Sequence, residues 1–295
     1  HPRYRSSYTS TGGGRYMSNS LMDYMRGGPD GGYQIGNGVF IGDPRIMFYF
    51  NRQTSSTPGI GGADPDEEVL ECGLQNAPAH YAGYVFCGNP QGWWGRDHGN
   101  DNGIPPDGFK RTLMGIYPSG GAFDDNSYAS KGLGDGQGGN GITPIVANSW
   151  MHFMNAEVAV MTGGDPTSET LAGIRSHLNK VDDMTGAPAM DAATIDSYIA
   201  NFAAEWTAAS SLGAKLELWA EEFWVTQRGN GIDAYNSYRR NGYPQNLQPM
   251  IEPDPGQFPL SMWYPQNLAA NNSNVNQKSD VSGRVFWNSN GPSVD

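Results

Sequence analysis

The chain has 295 residues, enough for one large domain or two ordinary ones, and carries 30 acidic against 18 basic side chains for a net charge of -12. That balance argues against a nucleic-acid partner, which requires a basic face, and against attraction to an anionic membrane surface. Aromatic residues make up 12 % and the 41 glycines and 20 prolines are interspersed with apolar residues throughout, which reads as a folded chain with long structured loops rather than a disordered one.

No apolar run approaches the roughly 20 residues of a membrane helix, and no basic and apolar leader is present. The chain opens at His1-Pro2-Arg3 without an initiator Met, which reads as a partial or processed product.

In chain order, residues 1–42 mix glycine clusters with one helical piece, Ser18 to Met25, whose Leu21, Met22 and Met25 share a face. Asp43-Pro44-Arg45 reads as a turn leading into a strand, Ile46 to Phe50. Residues 51–140 contain no long helical pattern, only Gly/Pro/Asn/Asp clusters around short apolar pieces. They are expected to form an insertion with its own short strands and helices. Cys72 and Cys87 lie here with 14 residues between them. A disulfide closing that loop is worth about 3 kcal/mol; two buried free thiols fit equally well, and the placement of His80 between them does not match a zinc site.

A helical half begins near Thr143-Pro144. Val146, Trp150, Phe153, Met154, Val158 and Met161 form a first stripe, ended by Gly163-Gly164. Asp165-Pro166 caps a second helix carrying Leu171, Ile174, Leu178 and Val181. A third runs from Asp191 to Ala208 with Ile195, Tyr198, Phe202 and Trp206. A fourth carries Leu212, Leu216, Trp219 and Phe223 and stops at Gly229-Asn230-Gly231. A short fifth has Ile232, Tyr235 and Tyr238 on one side and breaks at Tyr243-Pro244. The expectation is a mainly α fold of tetratricopeptide-like helix pairs, an α-α superhelix, with a long loop-rich insertion containing short strands. The layout is a loop-rich ligand-binding region over 1–142, a helical scaffold over 143–245, and an extended Pro/Asn-rich segment over 246–295 packed on the scaffold.

The densest polar cluster is the loop from Trp93 to Gly108. Its Asp97, Asp101 and Asp107 offer oxygen ligands to a hard cation such as Ca2+, although the spacing is not that of an EF-hand and Asp/Asn turns bonding their own backbone fit as well. Acid pairs at Asp64/Asp66/Glu67/Glu68, Asp124/Asp125 and Glu221/Glu222 leave a glycoside hydrolase as an alternative. Glu217, Glu221 and Glu222, beside an apolar helix face, read as solvated surface. No G-x-S-x-G turn and no H-E-x-x-H pair occurs. The remaining candidates are loop aromatics, Trp93, Trp94, Tyr81, Tyr84, Tyr117 and Tyr128, which with Arg96 form a stacking and hydrogen-bonding surface for a polar oligomer or brace the loops from inside.

The run Tyr238-Arg239-Arg240-Asn241-Gly242-Tyr243-Pro244, preceded by Phe223-Trp224-Val225-Thr226-Gln227 and Gly231-Ile232-Asp233-Ala234-Tyr235, resembles the C-terminal signature "E-A-W-x-x-x-R-R-T-G-Y-P" of SusD/RagB-like outer-membrane lipoproteins. Phe258-Pro259, Tyr264-Pro265 and Asn271 to Val275 are similar to that family's closing segment. Asn148 to Val160 with Ala156-Glu157 resembles its "E-x-x-F-L-x-A-E-A" helix, and Asp43-Pro44-Arg45 its "D-P-R" strand. Asn241 stands where the signature has Thr, and Tyr235 where it has Trp. The chain is also roughly half the length of family members, lacking the N-terminal half with its lipidated Cys. The resemblance implies a non-enzymatic, cell-surface glycan-binding protein, or in some branches a peptide-binding one. It would sit at the extracellular face of the outer membrane, lipid-anchored through a segment outside this chain. Its implied partners are the missing N-terminal half and a SusC-like TonB-dependent transporter, which it would cover as a lid. It implies no cofactor. The oxidising surface location favours a Cys72–Cys87 disulfide. No ligand residue transfers by motif, so the expected binding residues remain Trp93, Trp94, Arg96, Tyr84 and Tyr117. A chain with only the later repeats is expected to expose an apolar helix face.

Overall fold

A computed structural model describes residues 1–9, 12–13, 15–27, 42–57, 88–99, 110–248, 250–251 and 256–288. The fold is mainly helical. The long helices are consecutive: α4 (Asn148–Met161), α5 (Thr167–Asp182), α6 (Ala192–Ala208), α7 (Leu212–Thr226) and α8 (Gly231–Asn241). Before them come three short ones, α1 (Pro2–Ser7), α2 (Asn19–Arg26) and α3 (Ile46–Tyr49), and after them α9 (Gln266–Asn271). Strands are minimal among the described residues. β1 (Tyr8–Thr9) pairs antiparallel with β2 (Gly12–Gly13), and β3 (Phe50–Asn51) with β4 (Leu113–Met114).

The helix starts follow local chemistry. The Ser18, Asp191, Ser211 and Asn230 side chains each accept from the backbone N–H three residues on, capping α2, α6, α7 and α8. α5 differs from the expectation: its flanking residue is Pro166, which offers no side-chain cap, and Asp165 accepts from Thr167 N, two residues on, at 3.0 Å. Gly242 ends α8 in the left-handed conformation, φ 74°.

Two expectations are corrected. Ile46 to Tyr49 is a helical turn, not strand: Asp43 accepts from Ile46 N, and Arg45 O from both Phe48 N and Tyr49 N, so extended pairing begins only at Phe50. Gly115 lies beside this turn because a Cβ there would stand 2.1 Å from Phe48 O. The stripe on α4 also divides. Trp150, Phe153 and Ala156 are buried, whereas Met154, Val158 and Met161 face outward, Met161 being 80 % exposed, and Val146, also exposed, lies before the helix begins. Met151 joins them to leave an apolar outer face on α4. Leu212 and Ile232, counted on the inner faces of their helices, are likewise exposed.

The core has two main clusters. One lies among α4–α7, where Phe153 stacks on Phe223 (centroids 5.2 Å apart, 13° between planes) and Trp219 packs beside Phe223. Gly173 lets α5 approach α4, since a Cβ would sit 2.8 Å from the Phe153 ring. The other joins α2, α3, Trp93, Ile116 and Tyr117 to Val181 of α5 and Val225 of α7. The loop-rich region and the helical half thus share apolar packing.

Candidate binding cleft

Of the aromatics expected to present a binding surface, Trp93, Trp94 and Tyr117 are core and Tyr128 is half-buried, while Tyr81 and Tyr84 lie outside the described residues. Trp93 is fully buried, its ring edge-on to Phe50 and under the Arg52 guanidinium at 4.4 Å. Trp94 is buried, with its backbone N–H donating to Thr112 Oγ1 at 2.8 Å. Tyr117, 1 % exposed, stacks on Tyr49 at 5.3 Å, and burial pushes its hydroxyl up to about 12. These rings were legible as aromatic but not as buried, because loop residues carry no periodicity to show which side faces in. Arg96 is half-exposed. It lies 3.8 Å from the Tyr16 ring centre and donates from Nη2 to the Tyr16 hydroxyl at 2.7 Å. Asp97 is buried and accepts from Asn19 Nδ2 at 3.1 Å and Gln248 Nε2 at 2.5 Å, which ties its loop to α2 and to the C-terminal segment. It is a brace in this arrangement, and among the described residues no group of three His, Cys, Asp or Glu is placed to hold a metal. Tyr84, Asp101, Asp107 and both Cys72 and Cys87 lie outside the described residues.

The carboxylate pairs are also redistributed. Asp124 is buried against Arg52, with Nε to Oδ2 at 2.7 Å. Glu221 and Glu222, expected on a solvated face, are buried. Glu222 meets Arg45 Nη2 at 2.9 Å, and Asp43 meets the same nitrogen at 2.5 Å. Arg45 also donates to the Tyr198 hydroxyl, and that hydroxyl donates to Glu222. The "D-P-R" turn is therefore a joint between the α3 turn, α6 and α7. Burial opposes the Arg45 charge, but Asp43 and Glu222 outweigh it and keep the guanidinium protonated. Nearby, His177 is fully buried between Tyr49 and Ser149, and burial holds it neutral, well below the usual imidazole range.

One opening is lined by aromatic rings. It has a volume of about 190 Å³ and lies between Ala220, Trp224 and Gln227 of α7, Tyr235 and Tyr238 of α8, the Tyr243-Pro244 turn, and Phe258. Sequence builds it directly. Tyr235 and Tyr238 are three apart and share one helix face, and Phe258 packs edge-on to Tyr238 at 4.8 Å. Gly242 turns the chain so that Tyr243 and Pro244 close one side. The walls are pinned: Tyr235 donates to Pro259 O at 2.5 Å, Arg239 to Leu260 O at 3.0 Å, and Glu217 accepts from the backbone N–H groups of Gln245 and Asn246 at 2.7 and 3.1 Å. Gln227 lines the cleft at 4 % exposure, and among the described residues its side-chain amide has no hydrogen-bond partner. Spacing showed Tyr235 and Tyr238 on one face; that the face frames an opening depended on where Phe258 returns.

Glu221, one turn from this cleft, accepts from Asn246 Nδ2 and from the Tyr24 hydroxyl. Burial raises its carboxyl from the model-compound 4.5 to about 7. The folded protein therefore holds this proton more tightly than the unfolded chain. Its stabilising contribution is complete below pH 4.5 and is lost as pH rises through about 7. The melting temperature of the protein should fall between pH 5 and pH 8 relative to that of Glu221→Gln. Parallel pH profiles for the two proteins would contradict this.

No protein-family model matches the chain, and a search of curated proteins gives no match.

Proposed function

We propose that the chain is a non-catalytic capture protein of SusD/RagB-like type, working at the outer face of the outer membrane as the lid of a SusC-like TonB-dependent transporter and holding a nutrient oligomer. The resemblance of Tyr238 to Pro244 to that family's signature motivates the reading, and the observation that carries it is that this same segment frames an aromatic cleft lined by Gln227, whose side-chain amide has no hydrogen bond among the described residues. Aromatic walls around a few polar groups suit a ligand that must be held and then released. Each ring contact contributes about 0.5–1.5 kcal/mol beyond area burial, so a few contacts give moderate affinity.

Equilibrium binding against a panel of oligosaccharides and peptides tests the proposal, run beside a turnover assay on the same panel. Saturable binding without product is expected, weakened about tenfold or more by Tyr238→Ala, equivalent to at least about 1.4 kcal/mol. Product formation abolished by a single carboxylate substitution would instead establish a hydrolase. Co-purification with the transporter and no binding to any panel member would establish a purely structural subunit.

A further inference from the structure

We infer that the cleft receives one apolar side chain of a peptide, with the Gln227 amide pairing with the peptide backbone beside it. This rests on the capture reading and narrows its cargo to peptide.

The cleft volume of about 190 Å³ is below that of most small-molecule pockets, roughly 300–1,000 Å³, and suits a single ring or branched side chain. Its lining is dominated by carbon. Besides Gln227, its polar side chains are Ser237, which accepts from Asn241 Nδ2 at 3.3 Å, Tyr235, whose hydroxyl is given to Pro259 O, and Trp224, Tyr238 and Tyr243, each of which carries a single N–H or O–H on a large ring. A sugar ring inserted here brings several hydroxyls into a space with few partners. Each hydroxyl left unsatisfied costs about 1–3 kcal/mol, against about 0.5–1.5 kcal/mol gained per stacking contact. A Phe or Leu side chain strands nothing, and its burial contributes about 1.5–3 kcal/mol.

Gln227 supplies the second determinant. A side-chain amide offers both a donor and an acceptor, the complement of a peptide unit's C=O and N–H. Gln227 lines the cleft with no side-chain hydrogen bond among the described residues, and its amide is not one of the enclosed unpartnered groups, so it is reachable from the opening and one peptide bond lying across it would engage both groups. The charge of the surroundings selects further. Glu217 stands behind the turn wall, Arg239 lies over the Tyr235 ring at 4.9 Å, and the whole chain carries -12, so the net field favours neutral or basic residues flanking the apolar one over acidic ones. The pinned walls make the receptor preorganised, which limits the ordering cost of binding.

The probes are a blocked pentapeptide Lys-Ala-Phe-Ala-Lys, its Ala-centred counterpart, a depsipeptide of the first with an ester replacing the amide N–H next to Phe, and maltohexaose. Binding is measured by titration calorimetry on the whole chain. The Phe peptide is expected to bind at least tenfold more tightly than the Ala peptide. The ester is expected to weaken binding to the wild type several-fold but not to Gln227→Leu, a comparison that stands even if Phe258→Ala disturbs the fold. Phe258→Ala is expected to lower affinity for the Phe peptide about tenfold. Equal binding of the Phe and Ala peptides, no peptide binding at millimolar concentration, or an ester effect that persists in Gln227→Leu each overturns the inference. Binding of maltohexaose without peptide, lost in Phe258→Ala, overturns the inference and leaves the capture reading standing; silence from every oligomer removes both.

Discussion

Replacing Arg45 with alanine lowers the unfolding free energy by about 3–5 kcal/mol, the penalty for removing one partner of a buried ion pair. The reason lies in what remains. Arg45 is fully buried, and its guanidinium neutralises both Asp43, with contacts at 2.5–3.0 Å, and Glu222 at 2.9 Å. Alanine leaves two acids buried together without a cation, and Tyr198 alone cannot compensate them. Thermal unfolding of the variant should begin on the order of 10 °C lower. A triple variant, Arg45→Met with Asp43→Asn and Glu222→Gln, should recover most of the loss, because a neutral set of similar shape avoids burying charge. A single Arg45→Ala variant within about 1 kcal/mol of wild type would show that this joint does not hold the α3 turn to α6 and α7.

Trp219→Ala is expected to destabilise the helical half by about 3–5 kcal/mol, the range for emptying a buried aromatic site. Trp219 packs at 5.4 Å from Phe223, which in turn stacks on Phe153, and its indole N–H donates to Phe153 O at 3.1 Å. Deleting it removes packing and a link between α7 and α4 together. Trp219→Phe should lose less, since the ring contact survives and only the hydrogen bond and part of the volume are gone. Met161→Ala, on the exposed face of α4, should stay within about 0.5 kcal/mol. Urea unfolding of the three variants gives the order; a Met161→Ala effect as large as that of Trp219→Ala would mean that the outer face of α4 is covered by packing of its own.

The helices were legible because their signals are local. Ser18, Asp191 and Ser211 sit where caps are needed, and Leu171, Ile174, Leu178 and Val181 repeat at the helical period. Which face of α4 turned inward was not legible. Trp150, Phe153 and Met154 all fit a helical stripe, and only the positions of α5 and α7 select Trp150 and Phe153 over Met154. The acids of α7 misled for a related reason. Glu221 and Glu222 look like solvated charge until Arg45, 177 residues from Glu222, is brought against Glu222 and Tyr24 and Asn246 against Glu221. The loop aromatics failed as a surface because Trp93 and Tyr117 find Phe50 and Tyr49, contacts between segments far apart in the chain.

By itself the sequence determined the positions of α2 and of the five long helices, the caps of α2, α6, α7 and α8 and the Arg-Arg-Asn-Gly-Tyr-Pro turn, since each depends on residues within about one helical turn of one another. Tertiary structure decided which apolar faces close and which stay open, which charges are paired in the core, and that Tyr235, Tyr238, Tyr243 and Phe258 surround a cleft with Gln227 on its wall. Burial and enclosure belong to the relation between distant segments. A helix pattern states what a face is made of; only the packing of its neighbours states what the face meets.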